Sequence, residues 1–239
     1  MNGKHAGGDG LSASVEDMSP SPDPDEGAAR PAPSGISALN PGYAHLAQAP
    51  IGQHATFVAT GLGRSGTTMI ARILLELGIP MGTALGQQTA EDKEFIATLK
   101  ANDTERFRAL CRVRDESYDR WGFKAPVVRS RLEWVLPETR SPRLVIVFRD
   151  ILAIALRNNI TYGGDIALDL KRGVKGYQNL VDTVLRLNVP TLLISYEKAL
   201  MAPEECISAV ASFTGKEISD DERRDIARET IRASDPRYL

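Results

Sequence analysis

The sequence is poor in the residues that build disulfide frameworks and metal sites. Only two cysteines occur, Cys111 and Cys206, each inside a segment that reads as helix. Their spacing supports neither a disulfide framework nor a metal site, and both read as small buried side chains in a reducing compartment. The three histidines, His5, His45 and His54, fall early and far apart, so no metal is expected. Long apolar runs are missing as well. No stretch approaches the roughly 18 apolar residues of a membrane span, and the N-terminus lacks the apolar core of a secretory signal. A cytoplasmic location follows as the expectation. Positive charge is not in excess either: the formal net charge is −2. That argues against nucleic-acid binding, which needs a basic surface, so any anion site must be a local cluster of donors.

What is present divides into two parts. Residues 1–50 read as a disordered tail, because Asp9 to Gly35 is crowded with Gly, Ala, Ser, Pro and Asp. Such a stretch buries too little apolar surface to offset the entropy of ordering it. Residues 51–239 read as one folded domain, a size that suits a single α/β unit.

Within that domain strands and helices alternate. Ala55–Thr60 is a β-rich run ending at Gly61, followed by a helix over Thr67–Leu77 with Gly78 and Pro80 as stop signals. Helices are expected over 89–100, with Thr89 and Asp92 as a capping box, and over 104–119. A short strand is expected at 121–123 and a helix over 127–135. Leu144–Phe148 is a continuous apolar run of the kind that forms a strand covered on both faces. Helices at 151–160 and 168–187, a strand at 191–195, a helix from Pro203 to Gly215 and a last one opened by the capping box Ser219–Glu222 complete the pattern. The order predicts an α/β fold with a doubly wound parallel sheet.

The motif with most chemistry is Gly61-Leu62-Gly63-Arg64-Ser65-Gly66-Thr67-Thr68, lying between a strand and a helix. Glycines let the backbone curl so that N–H groups point inward, and the helix N-terminus adds unpaired donors and positive potential. Thr67 and Thr68 add hydroxyls. The loop is therefore expected to hold a phosphate. The lysine that nucleotide triphosphatases carry before the Ser/Thr of this loop is absent; Thr67 stands in its slot. That lysine grips the β and γ phosphates, so its absence counts against an ATP or GTP hydrolase.

Arg64-Ser65-Gly66-Thr67-Thr68 resembles the 5′-phosphosulfate loop of the sulfotransferases that use 3′-phosphoadenosine 5′-phosphosulfate (PAPS). Further segments resemble that family in the same order. Trp121-Gly122-Phe123-Lys124-Ala125-Pro126 is similar to its W-G-x-K-x-P stretch, Leu144–Asp150 to its 3′-phosphate element, and Leu193–Leu200 to its tyrosine–glutamate segment. The likeness covers roughly Thr56 to Gly215. It implies a small bacterial-type sulfotransferase with PAPS as donor, a hydroxyl or amine acceptor and no metal. It also implies roles for particular residues. Gly63, Arg64, Ser65, Gly66, Thr67 and Thr68 would hold the 5′-phosphate, and Arg149 the 3′-phosphate. Arg64 and Lys124 would meet charge at the transferring group, while Tyr196 and Glu197 would serve as scaffold.

The chain departs from the family in three places. Arg157 stands where the family usually has Ser eight residues after the 3′-phosphate arginine, and a guanidinium would make the stronger bond to phosphate. The basic, glycine-rich C-terminal loop of many members is missing. Pro126 occupies the position of a histidine base, so the base is expected near the start of the second helix, at Glu91 first and Glu94 second. The competing readings are a P-loop kinase and a nucleotide-binding protein without chemistry. The segments expected to form the acceptor pocket, Pro80–Lys100 and Thr161–Val174, show no pattern that names the acceptor, whether carbohydrate, lipid or small metabolite.

Overall fold

In the computed structural model residues 40–231 are described; the greater part of the proposed tail, to residue 39, and residues 232–239 lie outside the described residues. The described chain already carries structure before Ile51. Strand β1 (Tyr43–Leu46) pairs antiparallel with β5 (Thr191–Ser195), Tyr43 opposite Ile194, and Gly42 O accepts from Ser195 N at 2.8 Å. Residues 43–46, expected within the tail, thereby belong to the sheet. The cause is nonlocal: an edge strand takes its hydrogen bonds from a segment far along the chain, and its own composition resembles a loop.

The remaining strands are β2 (Ala55–Gly61), β3 (Arg120–Lys124) and β4 (Pro142–Phe148), in the sheet order β1-β5-β4-β2-β3. All pairings among β2, β3, β4 and β5 are parallel. Period-two alternation sorts the side chains between two cores. Ala55, Phe57 and Ala59 of β2, Val145 and Val147 of β4, and Leu192 and Ile194 of β5 face helices α1 (Thr67–Glu76), α7 (Tyr196–Met201), α8 (Pro203–Thr214) and α9 (Asp220–Thr230). Val58, Leu144 and Ile146 face the other way, toward α2 (Lys93–Ala101), α3 (Thr104–Ser117), the short α4 (Leu132–Val135) and α6 (Ile166–Leu187). α5 (Ile151–Tyr162) follows β4 and packs on α6. Helices on both faces of a largely parallel sheet make the fold doubly wound, as expected. Cys111 and Cys206 are buried and unbridged, and burial pushes each thiol up to about 12.

Two expected helices differ. The one over 127–135 is broken into a 3₁₀ turn (Pro126–Ser130) and α4, because Arg131 between them leaves helical backbone at φ −136°. The helix expected from Thr89 begins at Lys93, with Asp92 itself as N-cap, accepting from Glu94 N at 2.9 Å. Asp92 does not complete a capping box with Thr89 because Arg114 claims its carboxylate: Nη2 donates to Oδ2 at 3.0 Å, and Thr83 N donates to the same oxygen at 3.1 Å. Residues 87–89 form a turn instead, closed by the bond from Ala90 N to Gly86 O at 2.8 Å, with Ala90 at φ 51°. Glu91 thus precedes the helix, and it does not share a helix face with Glu94.

The sheet has one switch point. From β2 the chain goes to β3 on one side, then returns to β4 on the other, so the connections leaving β2 and β4 diverge. In such sheets ligands bind beyond the carboxyl ends of the strands at that divergence.

Candidate active site

The phosphate-loop motif leaves the carboxyl end of β2 at the switch point and ends at the first turn of α1. Arg64 and Gly66 both take left-handed backbone, φ 69° and 99°. At Gly66 a Cβ would also meet the Tyr196 ring at 2.3 Å, so only glycine lets that ring lie against the loop. No side chain caps α1 and its first turn holds no acidic residue, which leaves the positive end of the helix open to an anion.

β4 runs beside β2, Gly61 opposite Val147, which brings Arg149 alongside the loop. The Arg149 side chain is buried, donates through Nη1 to Arg64 O at 3.0 Å, and lies over the Tyr196 ring with Cζ 4.6 Å from its centre. Its backbone is clamped: the Tyr177 hydroxyl accepts from Arg149 N at 2.8 Å and donates to Arg149 O at 3.0 Å. Burial pushes the Tyr177 phenol up to about 12, so it stays protonated at neutral pH. Glu197 Oε1 accepts from Asp150 N at 2.9 Å, and Asp150 caps α5. Tyr196 thus packs against Arg149 and lines the cavity, and Glu197 holds the start of α5 through Asp150 N.

β3 lies on the other side of β2, Ala59 opposite Lys124. Trp121 and Phe123 point into the core shared with α2 and α3, so Gly122 and Lys124 point toward α1. Lys124 is 4% exposed. Its Nζ donates to Glu91 Oε1 at 2.7 Å, Thr89 O at 3.0 Å and Thr68 Oγ1 at 3.4 Å. Burial lowers its pKa below the ordinary lysine value and the charge of Arg64 adds to this, while Glu91 opposes both.

These groups line one cavity of about 700 Å³. Of the residues expected at a site, Gly63, Arg64, Gly66, Thr67, Thr68, Glu91, Lys124, Arg149 and Arg157 all border it. Ser65 is buried within the loop, and Glu94 is exposed on α2 and does not border the cavity. Arg64 Nη2 donates to the Tyr162 hydroxyl at 3.1 Å. Gln88 and Tyr162, from the two segments expected to form the acceptor pocket, border the same space, as does Arg72, which belongs to no motif and was missed by sequence reasoning. The lining holds five cations, Arg64, Arg72, Lys124, Arg149 and Arg157, against one carboxylate, Glu91, in a protein whose net charge is −2. The cavity is suited to a polyanion. Among the described residues no helix is long and apolar enough to cross a membrane, and no three His, Cys, Asp or Glu side chains cluster as a metal site would.

No family model and no curated protein matches the sequence. Solved structures similar to the chain include mouse sulfotransferase SULT7A1 complexed with PAP, at TM-score 0.48 and 16% identity over 75% of this chain and 65% of that one. Another is retinol dehydratase in complex with androsterone and the inactive cofactor PAP, at TM-score 0.43 and 16% identity over 76% of this chain and 65% of that one. A third is sulfotransferase STF1 from Mycobacterium tuberculosis, at TM-score 0.49 and 16% identity over 73% and 70%. The chain spans just under two thirds of the length of the first two.

Proposed function

We propose that this protein is a sulfotransferase that moves a sulfuryl group from PAPS to a hydroxyl or amine. The observation that carries this reading is the pairing of a lysine-free phosphate loop with a buried arginine at the end of the neighbouring strand, Arg149 reaching Arg64 O at 3.0 Å. A linear triphosphate is held by the loop lysine, and Thr67 replaces it. A second cationic position beside the loop suits a nucleotide whose extra phosphate branches from the ribose. Arg157, also on the cavity wall, supports a 3′ site built from two guanidinium groups in place of arginine and serine. The likeness of the loop, Lys124, Arg149 and Tyr196 segments to the sulfotransferase pattern supports the same donor.

In this reading the open end of α1 and the loop N–H groups hold the 5′-phosphate. Lys124 and Arg64 flank the transferring group and meet the charge that grows on the bridging oxygen as the S–O bond breaks. Glu91 takes the proton of the acceptor as its oxygen or nitrogen bonds to sulfur, and 3′,5′-bisphosphoadenosine (PAP) leaves with the electron pair. Glu94 has no place in this arrangement.

Calorimetry with the full chain tests the donor. PAP is expected to bind without metal and more tightly than ATP with Mg²⁺; the reverse order would indicate a kinase. Replacing Thr67 and Thr68 together by Ala is expected to weaken PAP at least several-fold, since each hydrogen bond to a charged group is worth about 1.5–3 kcal/mol. Arg149→Ala is expected to reduce the preference for PAP over adenosine 5′-monophosphate about tenfold or more. Tyr177→Phe, which removes both backbone bonds of Arg149 while keeping the ring, is expected to reduce it to a lesser degree. Unchanged discrimination in Arg149→Ala would place the 3′ site elsewhere.

A further inference from the structure

Arg72 sits one turn beyond Thr68 on the same side of α1, because residues four apart are neighbours on a helix. Thr68 Oγ1 donates to Thr89 O at 3.3 Å, and Thr89 O also accepts from Lys124. Gln88, the residue before Thr89, is exposed and borders the cavity together with Arg72. Arg72 and Gln88 therefore flank the edge where Thr68 meets Thr89, the edge on which Glu91 and Lys124 also stand. Arg149 approaches the loop from the opposite strand.

Arg72 differs from the arginines on the outer helices. Arg108 pairs with Glu138, Arg172 with Asp169, and Arg224 with Asp221. Arg72 has no hydrogen-bond or ion-pair partner among the described residues, and Glu76, one turn further along α1, is not within ion-pair distance. An exposed guanidinium bordering the same cavity as the Gln88 amide and the Glu91 carboxylate is placed to form a two-pronged bond to an oxyanion.

We infer that the acceptor is itself an anion: a small molecule bearing a carboxylate, phosphate or sulfate group that Arg72 binds, with Gln88 as neighbour, while its hydroxyl or amine faces Glu91. This rests on the sulfotransferase reading, and it assigns Arg72 to the acceptor and not to the donor.

The test uses the full chain, ³⁵S-labelled PAPS and small molecules from the source cells, divided by anion exchange into an anionic pool and a neutral-plus-cationic pool. Label is expected to enter products of the anionic pool. Arg72→Gln is expected to lower that incorporation about tenfold or more at sub-saturating acceptor, with PAP affinity within about twofold of the original. Arg72→Lys, which keeps the charge and loses the fork, is expected to recover part of it. Incorporation from the neutral pool, from both pools equally or from neither overturns the inference, as does an Arg72→Gln variant with full incorporation. A tenfold loss of PAP affinity in Arg72→Gln would move Arg72 to the donor and also overturn it. Failure of the original protein to bind PAP would instead remove the sulfotransferase reading and this inference with it. Resupply of the purified anionic acceptor at high concentration restores turnover in Arg72→Gln if only its binding was lost.

Discussion

Arg114→Ala is expected to destabilise the protein by about 3–5 kcal/mol, because it strips the partner from a buried carboxylate. The Asp92 side chain is 0% exposed and that of Arg114 8%, with Nη2 of the arginine 3.0 Å from Oδ2. The same guanidinium donates to Thr83 Oγ1 at 2.9 Å. Asp92 cannot move away from the gap, since it also caps α2 and accepts from Thr83 N. At this chain length the loss corresponds to roughly 10 °C in Tm. Replacing both members, Arg114→Met with Asp92→Asn, is expected to cost much less. Asparagine keeps one oxygen to cap the helix and carries no charge to bury, at the cost of the bond from Thr83 N, and an apolar side chain of similar length fills the space of the arginine. Thermal or urea unfolding of the single and double variants measures the difference. Equal losses in the two would mean that the charge of the pair is irrelevant to stability. The pair also has a positional consequence. Asp92 closes the 85–92 loop that carries Thr89 and Glu91 to Lys124, pairing with Leu85 across its base, so the loop edge of the cavity is anchored by an ion pair at the start of α2.

How much of this was readable beforehand depended on whether the signal was local. The phosphate loop, the apolar strand ending at Arg149 and the capping box at Ser219 are local patterns, and each appears where the sequence puts it. In the last, Glu222 N donates to Ser219 Oγ and Ser219 N to Glu222 Oε2. What the sequence hid was set by distant partners. β1 exists because β5 offers it an edge. Thr89 and Asp92 have capping-box spacing, yet Asp92 itself caps the helix through Oδ1 while Arg114 and Thr83 N hold Oδ2, which leaves no oxygen to reach back to Thr89. That arrangement moved Glu91 off the helix and onto Lys124, and separated it from Glu94. Tyr177 holds Arg149 across the packing of α6 on the sheet, and no spacing in the sequence announces such a contact. Arg72, Gln88 and Tyr162 border the cavity only because α1, the turn before α2 and the end of α5 meet there. The strands and the loop between them were legible in the sequence; the place of Arg72 on the cavity wall was not.

Arg64→Ala and Lys124→Ala are each expected to lower turnover by about a hundred- to a thousand-fold while PAP still binds. Charge on the bridging oxygen grows only in the transition state, so a cation aimed there acts on the rate more than on binding. Losing one such donor costs about 2.7–4 kcal/mol. The Arg64 side chain is exposed and, among the described residues, bonds only to Tyr162, so its removal should leave the fold intact. Arg64→Lys keeps the charge and should retain far more activity than Arg64→Ala. The two cations differ in their response to pH. Burial lowers the pKa of Lys124, and the nearby charge of Arg64 lowers it further. A lysine with a depressed pKa loses its proton earlier as pH rises, so the alkaline limb of the kcat/KM profile should fall below the pH of an ordinary lysine. Lys124→Arg keeps its charge at any accessible pH and should shift that limb upward or remove it, while Arg64→Ala, by removing a neighbouring charge, should move it toward higher pH. The same shift has a thermodynamic sign. With the folded-state pKa below the unfolded one, stability rises as pH climbs through that interval, and keeping Lys124 protonated near neutral pH costs the fold some of its stability. Glu91→Gln should reduce turnover, because the amide cannot take the acceptor's proton. Normal turnover in Arg64→Ala with a confirmed acceptor would rule out the charge stabilisation assigned to it. An alkaline limb left in place by Lys124→Arg would assign that ionisation to another group.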